Sequence, residues 1–460
     1  MTIIPYQNEN EYQVSKNISN FLEGNRVNEI LRKSNATKEQ GIPVLRIFGA
    51  LMLMIFTGKS LNRLIDENSI GFGKDTVYRF INSVRIQWQT FISLLSATVI
   101  AKIIPLTSEK RINTLILDDT INKRNRSKKV ELLAKVKDHT DGKYYKGFRC
   151  LTAAFSDGNT LVPTGFNVLS SQNEESRYNG QKDGIDKRTN GYKRRVKAQM
   201  SMFDAAYELV MSAQKAKISF SHVLFDSWFS MPVMFRKLCG FGVHGVGMLK
   251  NMPKVLYKFG NRKYTLQSLY GLVKSRIPKD KDTYSVTVTL PGNGKEKADL
   301  RLKIVLVNDK RSKDNWCAVA TTDLNLTNEQ ILVLYSRRWD IEVFFKMCKE
   351  HLGFAKDFQT LCYDAITASV AIVFARYIML AAQVRNNTDK RTGGDLFFLV
   401  YDEIRERAVV DALQLFWEYI LMTLGVFFKK SEKINLFQTL FISNLPAFLK
   451  DLLLVSGCES

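Results

Sequence analysis

The chain has 460 residues, 45% hydrophobic and 24% charged, which excludes a disordered polymer and leaves room for roughly two to four packed domains. Lysine and arginine number 67 against 45 aspartates and glutamates, giving a formal charge of +22 and a pI near 9.6. A field of that sign gathers polyanions, nucleic acid first and an anionic membrane surface second.

Cys150, Cys239, Cys317, Cys348, Cys362 and Cys458 are scattered without a Cys-x-x-Cys pair, as expected of reduced thiols in a cytoplasmic protein and against a zinc site. His139, His222, His244 and His351 are not paired at ligand spacing either. A metal would therefore fall to carboxylate oxygens, which suits Mg²⁺ or Mn²⁺. Met1 to Glu9 lacks a basic stretch followed by an apolar run, so no signal peptide is expected. The apolar stretches Ile366 to Ala382 and Ala412 to Phe428 contain Arg376 and Glu418 and read as buried or interface helices, not membrane spans.

In chain order, residues 1–108 are predicted to be a helical DNA-binding region. Ser60 to Glu67, Asn68 to Gly73 and Lys74 to Asn82 read as helix, glycine-containing turn and helix. The second helix would present Lys74, Thr76 and Arg79, donors suited to a major groove, although any helical hairpin gives the same pattern. From Arg111 the texture becomes strand-like. Asn113 to Leu117 is a short branched apolar run ending in Asp118 and Asp119, and Lys143 to Phe155 with Thr160 to Val168 predicts a hairpin across Ser156-Asp157-Gly158-Asn159.

Two basic clusters flank these strands. Ile121 to Arg149 holds ten lysines and arginines against three acids, and Lys182 to Lys197 holds seven against two, including Lys193, Arg194 and Arg195. Solvated loops and phosphate-neutralising surfaces both fit such runs. A helix from about Val196 to Lys215 leads to the apolar strand His222 to Phe225, which again ends in an acid, Asp226. The helix Met231 to Leu238 and strand Gly242 to Met248 follow. Period-two runs at Asp282 to Leu290, Leu300 to Val307 and Trp316 to Thr321 then predict a β-rich insertion.

Asn325 to about His351 contains no proline or glycine and is predicted to form one helix. Tyr335, Arg338, Glu342 and Lys349 then fall within about 60° of one another on its surface. Ile341, Phe344, Phe345 and Cys348 occupy a different side as the apolar stripe. An ordinary surface ion pair between Arg338 and Glu342 would give part of this pattern.

The spacing Tyr335-x2-Arg338-x3-Glu342-x6-Lys349 resembles the signature of DDE insertion-sequence transposases of family four, which have an RNase H-like core. The insertion lies between the second aspartate and the glutamate helix, where that family carries one. The resemblance implies an α/β fold: an RNase H-like mixed-sheet core, interrupted by a β-rich insertion, with helical N- and C-terminal regions. The expected boundaries are 109–248 and 325–385 for the core, 249–324 for the insertion and 386–460 for a helical, dimerising C-terminal region.

The resemblance further implies metal-dependent cut-and-paste transposition, with Asp119, Asp226 and Glu342 as catalytic acids holding a pair of Mg²⁺ or Mn²⁺ ions. Tyr335, Arg338 and Lys349 would contact phosphates, and Trp316 would stack on a flipped end base unless it is simply a core indole. Asp118 and Asp119 alternate faces of a strand, and the acid before Thr120 resembles the catalytic one. The expected partners are duplex DNA, as terminal inverted repeats and target, and a second copy of the chain in the synaptic complex. A metal-dependent nuclease on the same fold and a DNA-binding derivative without catalysis are the alternatives.

Overall fold

The computed structural model describes residues 9–56, 59–67, 70–138, 141–274, 283–292, 298–308, 316–358 and 360–385. The expectations for 386–460, including the stretch from Ala412 to Phe428, lie outside the described residues, as do Asn68 and His139.

The first hundred residues are helical: α1 (Glu9–Gly24), α2 (Val27–Lys33), α3 (Val44–Phe56), α4 (Leu61–Asp66), α5 (Lys74–Ile81) and α6 (Trp88–Ile103). Ser60 caps α4 by accepting a hydrogen bond from the Arg63 amide, and α5 starts after Gly73. Val77, Phe80 and Ile81 turn inward from α5 at helical spacing, leaving Lys74 and Arg79 exposed and Thr76 half-buried.

The sheet begins with β1 (Thr114–Lys123), β2 (Ala134–Lys137), β3 (Tyr144–Ser156) and β4 (Leu161–Leu169). β1 outlasts its predicted end because β3 stays paired with it as far as Lys123 opposite Gly147. Every residue of β4 is buried, including Pro163. The proline lacks an amide hydrogen and sits where the β3–β4 register shifts between Ala153 and Ala154. The carbonyls freed there are taken by α6: Ser96 Oγ donates to Pro163 O at 2.6 Å and Ser93 Oγ to Thr164 O at 2.9 Å.

Next come α7 (Asn190–Ala198), α8 (Met202–Lys215), β5 (His222–Phe225), α9 (Pro232–Gly240) and β6 (His244–Met248). β5 lies parallel to β1 and β6 lies parallel to β5, so the order β4-β3-β1-β5-β6 combines an antiparallel hairpin edge with a parallel half. This is an RNase H-like sheet. Gly247 in β6 is required by close approach, since a Cβ there would stand 2.3 Å from Ser230 Oγ and 2.4 Å from the Phe225 ring.

The insertion supplies β7 (Tyr257–Phe259), β8 (Arg262–Tyr264), α10 (Leu266–Val273), β9 (Thr283–Leu290), β10 (Leu300–Asn308) and β11 (Trp316–Thr321). Its strands extend the core sheet, because β11 pairs antiparallel with β6 and carries β10 and β9 outward. The exposed edge that β6 would otherwise present is thereby covered.

The chain returns through α11 (Asn328–Ser336), α12 (Trp339–Glu350) and α13 (Tyr363–Val384). Trp88–Leu106 and Tyr363–Val384 are both long and apolar enough to cross a membrane, and most of the second is buried inside the protein. Arg376, fully buried in α13, donates to Leu352 O at 2.8 Å and to the Leu51 carbonyl and pairs with Asp357, tying α13 to α3 and to the segment after α12. A buried guanidinium with acceptors on three sides is a fixed joint.

Candidate active site

The first two acids are juxtaposed by register. β1 and β5 run parallel from Thr114 beside His222 to Leu117 beside Phe225, so Asp118 and Asp226 are the next residues on adjacent strands. β5 ends there while β1 continues, leaving an open notch on one edge of β1. The Asp226 carboxylate is held by the following turn: its Oδ1 accepts from the amides of Trp228 at 3.0 Å and Phe229 at 3.3 Å. Asp118 and Asp119 both border the notch despite alternating faces, because no partner strand covers that edge beyond Leu117.

The third acid arrives on a helix that differs from expectation. The predicted single helix is two, α11 and α12, separated at Arg337 and Arg338. There the amides of Arg337, Arg338, Asp340 and Ile341 bond to carbonyls three residues back, at 3.0 to 3.4 Å, so the turn tightens. Arg337 is drawn inward, donating to Ile112 O at 2.6 Å, and its guanidinium lies so close to Gly158 (φ +86°) that a Cβ would meet it at 2.8 Å. Tyr335, Arg338, Glu342 and Lys349 nevertheless all border one cleft of about 670 Å³ with Asp118, Asp119 and Asp226.

Two arginines hold the acids. Arg338 Nη1 lies 2.6 Å from Glu342 Oε1 and 3.4 Å from Asp118 Oδ2, linking α12 to β1. Arg149 Nη1 is 2.6 Å from Asp119 Oδ2, and its Nη2 donates to Lys137 O at 2.5 Å. Burial, then the charge of Asp119, pushes the Asp118 carboxyl up to about 8. Burial likewise raises Asp226 against the pull of its amide donors, and burial lowers the Lys349 ammonium.

Four carboxylates bordering one cleft, with Asp118 and Asp226 displaced toward their neutral forms, form an oxygen-only donor set. That chemistry fits a hard divalent cation. Among the described residues, no three His, Cys, Asp or Glu side chains already close on one point. Asp119 and Glu342 are turned onto arginines, which here occupy the acids' oxygens.

Other expected residues sit elsewhere. Lys193 is exposed on α7, whereas Arg194 and Arg195 are 4% and 1% exposed; Arg195 is taken up by buried acids, which corrects its assignment to a DNA surface, while Arg194 borders a separate cleft. Arg195 is bidentate to Glu131 at 2.5 and 2.8 Å and bonds Asp364 at 2.8 and 3.0 Å; Arg194 pairs with Asp364 at 3.1 Å. The charge run hid an amphipathic helix whose inner face is cationic because buried acids from two other segments await it. The predicted helix Val196 to Lys215 is broken accordingly, with Ser201 capping α8. Trp316 stacks on Tyr270 with ring centroids 4.1 Å apart and planes 6° from parallel, and does not border the acid cleft. Lys74, Thr76 and Arg79 on α5 do not border it either.

Sequence reasoning passed over Arg149, although it lies across the strand pair from Asp119, two positions off in register. A cation inside an apolar hairpin strand was the available signal. Lys123, Asp138 and Lys346 also border the cleft.

Residues 34–263 match the family model described as DDE superfamily endonuclease. Residues 177–361 match a second model, "Archaeal putative transposase ISC1217". The chain belongs to the DDE superfamily endonucleases. No curated protein sequence matches it. The Drosophila P element transposase, solved as a strand transfer complex, is similar over 55% of this chain at 11% identity and a TM-score of 0.23; the match spans 56% of that chain.

Proposed function

We propose that the chain is a DNA transposase of the family-four insertion-sequence type, performing metal-dependent end cleavage and strand transfer. The observation that carries this reading is convergence: Asp119, Asp226 and Glu342, far apart in sequence, border one cleft together with Tyr335, Arg338 and Lys349. A nuclease of this superfamily needs the acids, and the phosphate-seeking stripe beside them suits a bound DNA end. The match to a transposase family model supports the same reading.

Asp119, Asp226 and Glu342 would hold the divalent ions, with Asp118 alongside as a further acid. When bound, such ions supply positive charge to the entering and departing oxygens of an in-line phosphoryl transfer. Arg338 and Lys349 offer N–H donors to the phosphates flanking the reacting one, and the Tyr335 hydroxyl adds another. The Arg338 guanidinium, now on Glu342 and Asp118, is positioned to exchange those acids for a phosphate as the site fills. The +22 charge suits long contact with DNA, as inverted repeats and as target, by a pair of chains in the cytoplasm.

A strand-transfer assay separates transposase from nuclease. Purified protein, Mg²⁺, a precleaved DNA end from the flank of its gene and a supercoiled plasmid should give plasmid joined to that end. Nicking or degradation without any joined product, using an end that exposes its 3′-hydroxyl, would leave only the nuclease.

A further inference from the structure

A second cleft, of about 410 Å³, opens where α6, α7 and α8 meet, and it shares no residue with the acid cleft. Lys193, Arg194, Lys197 and Lys215 border it and no carboxylate does. Its amide-bearing rim is held in place: Gln87 Nε2 donates to Asn190 Oδ1 at 3.1 Å, and Thr90 Oγ1 donates to Gln87 Oε1 at 2.8 Å. Glu208 pairs with Lys197 at 2.6 Å, while Lys193 and Lys215 stand exposed.

Arg194 gives the cleft a buried cationic wall. Its Nη2 donates to Ile86 O at 2.7 Å and its Nε lies 3.1 Å from Asp364 Oδ1. Its Nη1 is buried and meets no hydrogen-bond partner among the described residues. That nitrogen lies beneath the cleft wall, so the donors an entering anion meets are the ammonium groups of the exposed Lys193 and Lys215. Lys193 and Lys197 stand one turn apart on α7, and Lys215 ends α8 on the other wall. Cations spread along a cleft suit successive phosphates of a strand better than a single ion does.

The geometry points to a groove between α6, α7 and α8 that binds the phosphate backbone of DNA away from the acid cleft. It rests on the reading of the chain as a DNA enzyme and adds a second contact region to it.

The test uses the full chain, its end DNA and the double variant Lys193→Gln/Lys215→Gln, with Lys193→Arg/Lys215→Arg as the charge-keeping control. The logarithm of DNA affinity is measured against the logarithm of salt concentration. The Gln variant should flatten the slope by about 1 to 2, since each phosphate contact contributes about 0.9. The Arg control should keep the wild-type slope. Phosphate-ethylation interference on wild type should show two clusters of sensitive phosphates, one lost in the Gln variant and the other in Lys349→Ala.

A wild-type slope and both clusters in a folded Gln variant overturn the groove. So does loss of the same cluster in both variants. Binding of inorganic phosphate that depends on Lys193 and Lys215, with the DNA slope unchanged, also overturns it, by assigning the cleft to a free anion. Failure of the wild type to bind DNA at all would instead overturn the functional reading beneath it.

Discussion

Glu342→Gln should lower Mg²⁺-dependent DNA cleavage by roughly 10³-fold or more, the scale of losing one essential electrostatic group from a preorganised site. Glutamine keeps the size of the side chain and an oxygen that can accept from Arg338, now 2.6 Å away, so the α11–α12 junction has no reason to reorganise. What disappears is one negative charge from the acid cluster. DNA binding should therefore persist or tighten slightly, because a repulsive charge beside the phosphates has gone. Measuring single-turnover cleavage and equilibrium binding on the same preparation separates the two effects. Cleavage within a few fold of wild type would remove Glu342 from the chemistry, whatever happened to binding.

Arg195→Ala has the largest expected effect on the fold. The side chain is 1% exposed and bridges Glu131 in the segment before β2 to Asp364 at the start of α13, both buried themselves. Glu131 also accepts from the amides of Lys182 and Tyr363, and burial works to raise its carboxyl while Arg195 and these amides hold it below the usual value. Removing the guanidinium strips Glu131 of its cation and leaves Asp364 to Arg194, and losing one partner of a buried pair costs about 3–5 kcal/mol. Urea unfolding monitored by circular dichroism should show that loss. A change under about 1 kcal/mol would mean that the network does not hold these segments together, and a flattened DNA salt slope without destabilisation would return Arg195 to the DNA surface.

The features most legible in the sequence were those whose periodicity and chemistry coincide. β1 and β5 each end a branched apolar run at an acid, and a buried parallel strand must look like that. The stripe from Tyr335 to Lys349 was also legible, because helical spacing survives the tightened turn at Arg337 and Arg338. That break itself was not, since it is caused by an inward pull on Arg337 from Ile112 O and by the room left at Gly158, residues more than 170 positions away.

Arg195 was misread for the same kind of reason. A basic run is ordinarily solvated, and nothing local reveals that Glu131 and Asp364 will meet it. The insertion's strands were visible from alternation, but their joining the core sheet through β6 and β11 is a pairing decision made in three dimensions. The short β2, β7 and β8 carry too few residues for any period to register.

The central claim is that Asp119, Asp226 and Glu342 grip divalent ions at one place. Iron-directed hydroxyl-radical cleavage of the protein tests it most directly: Fe²⁺ is bound in place of Mg²⁺, ascorbate and peroxide are added, and the backbone cuts are mapped. Cuts should cluster around Asp118 and Asp119, around Asp226 and around Glu342, and excess Mg²⁺ should suppress all three together. Cuts confined to one of these segments, or falling outside all of them, would contradict a shared metal centre.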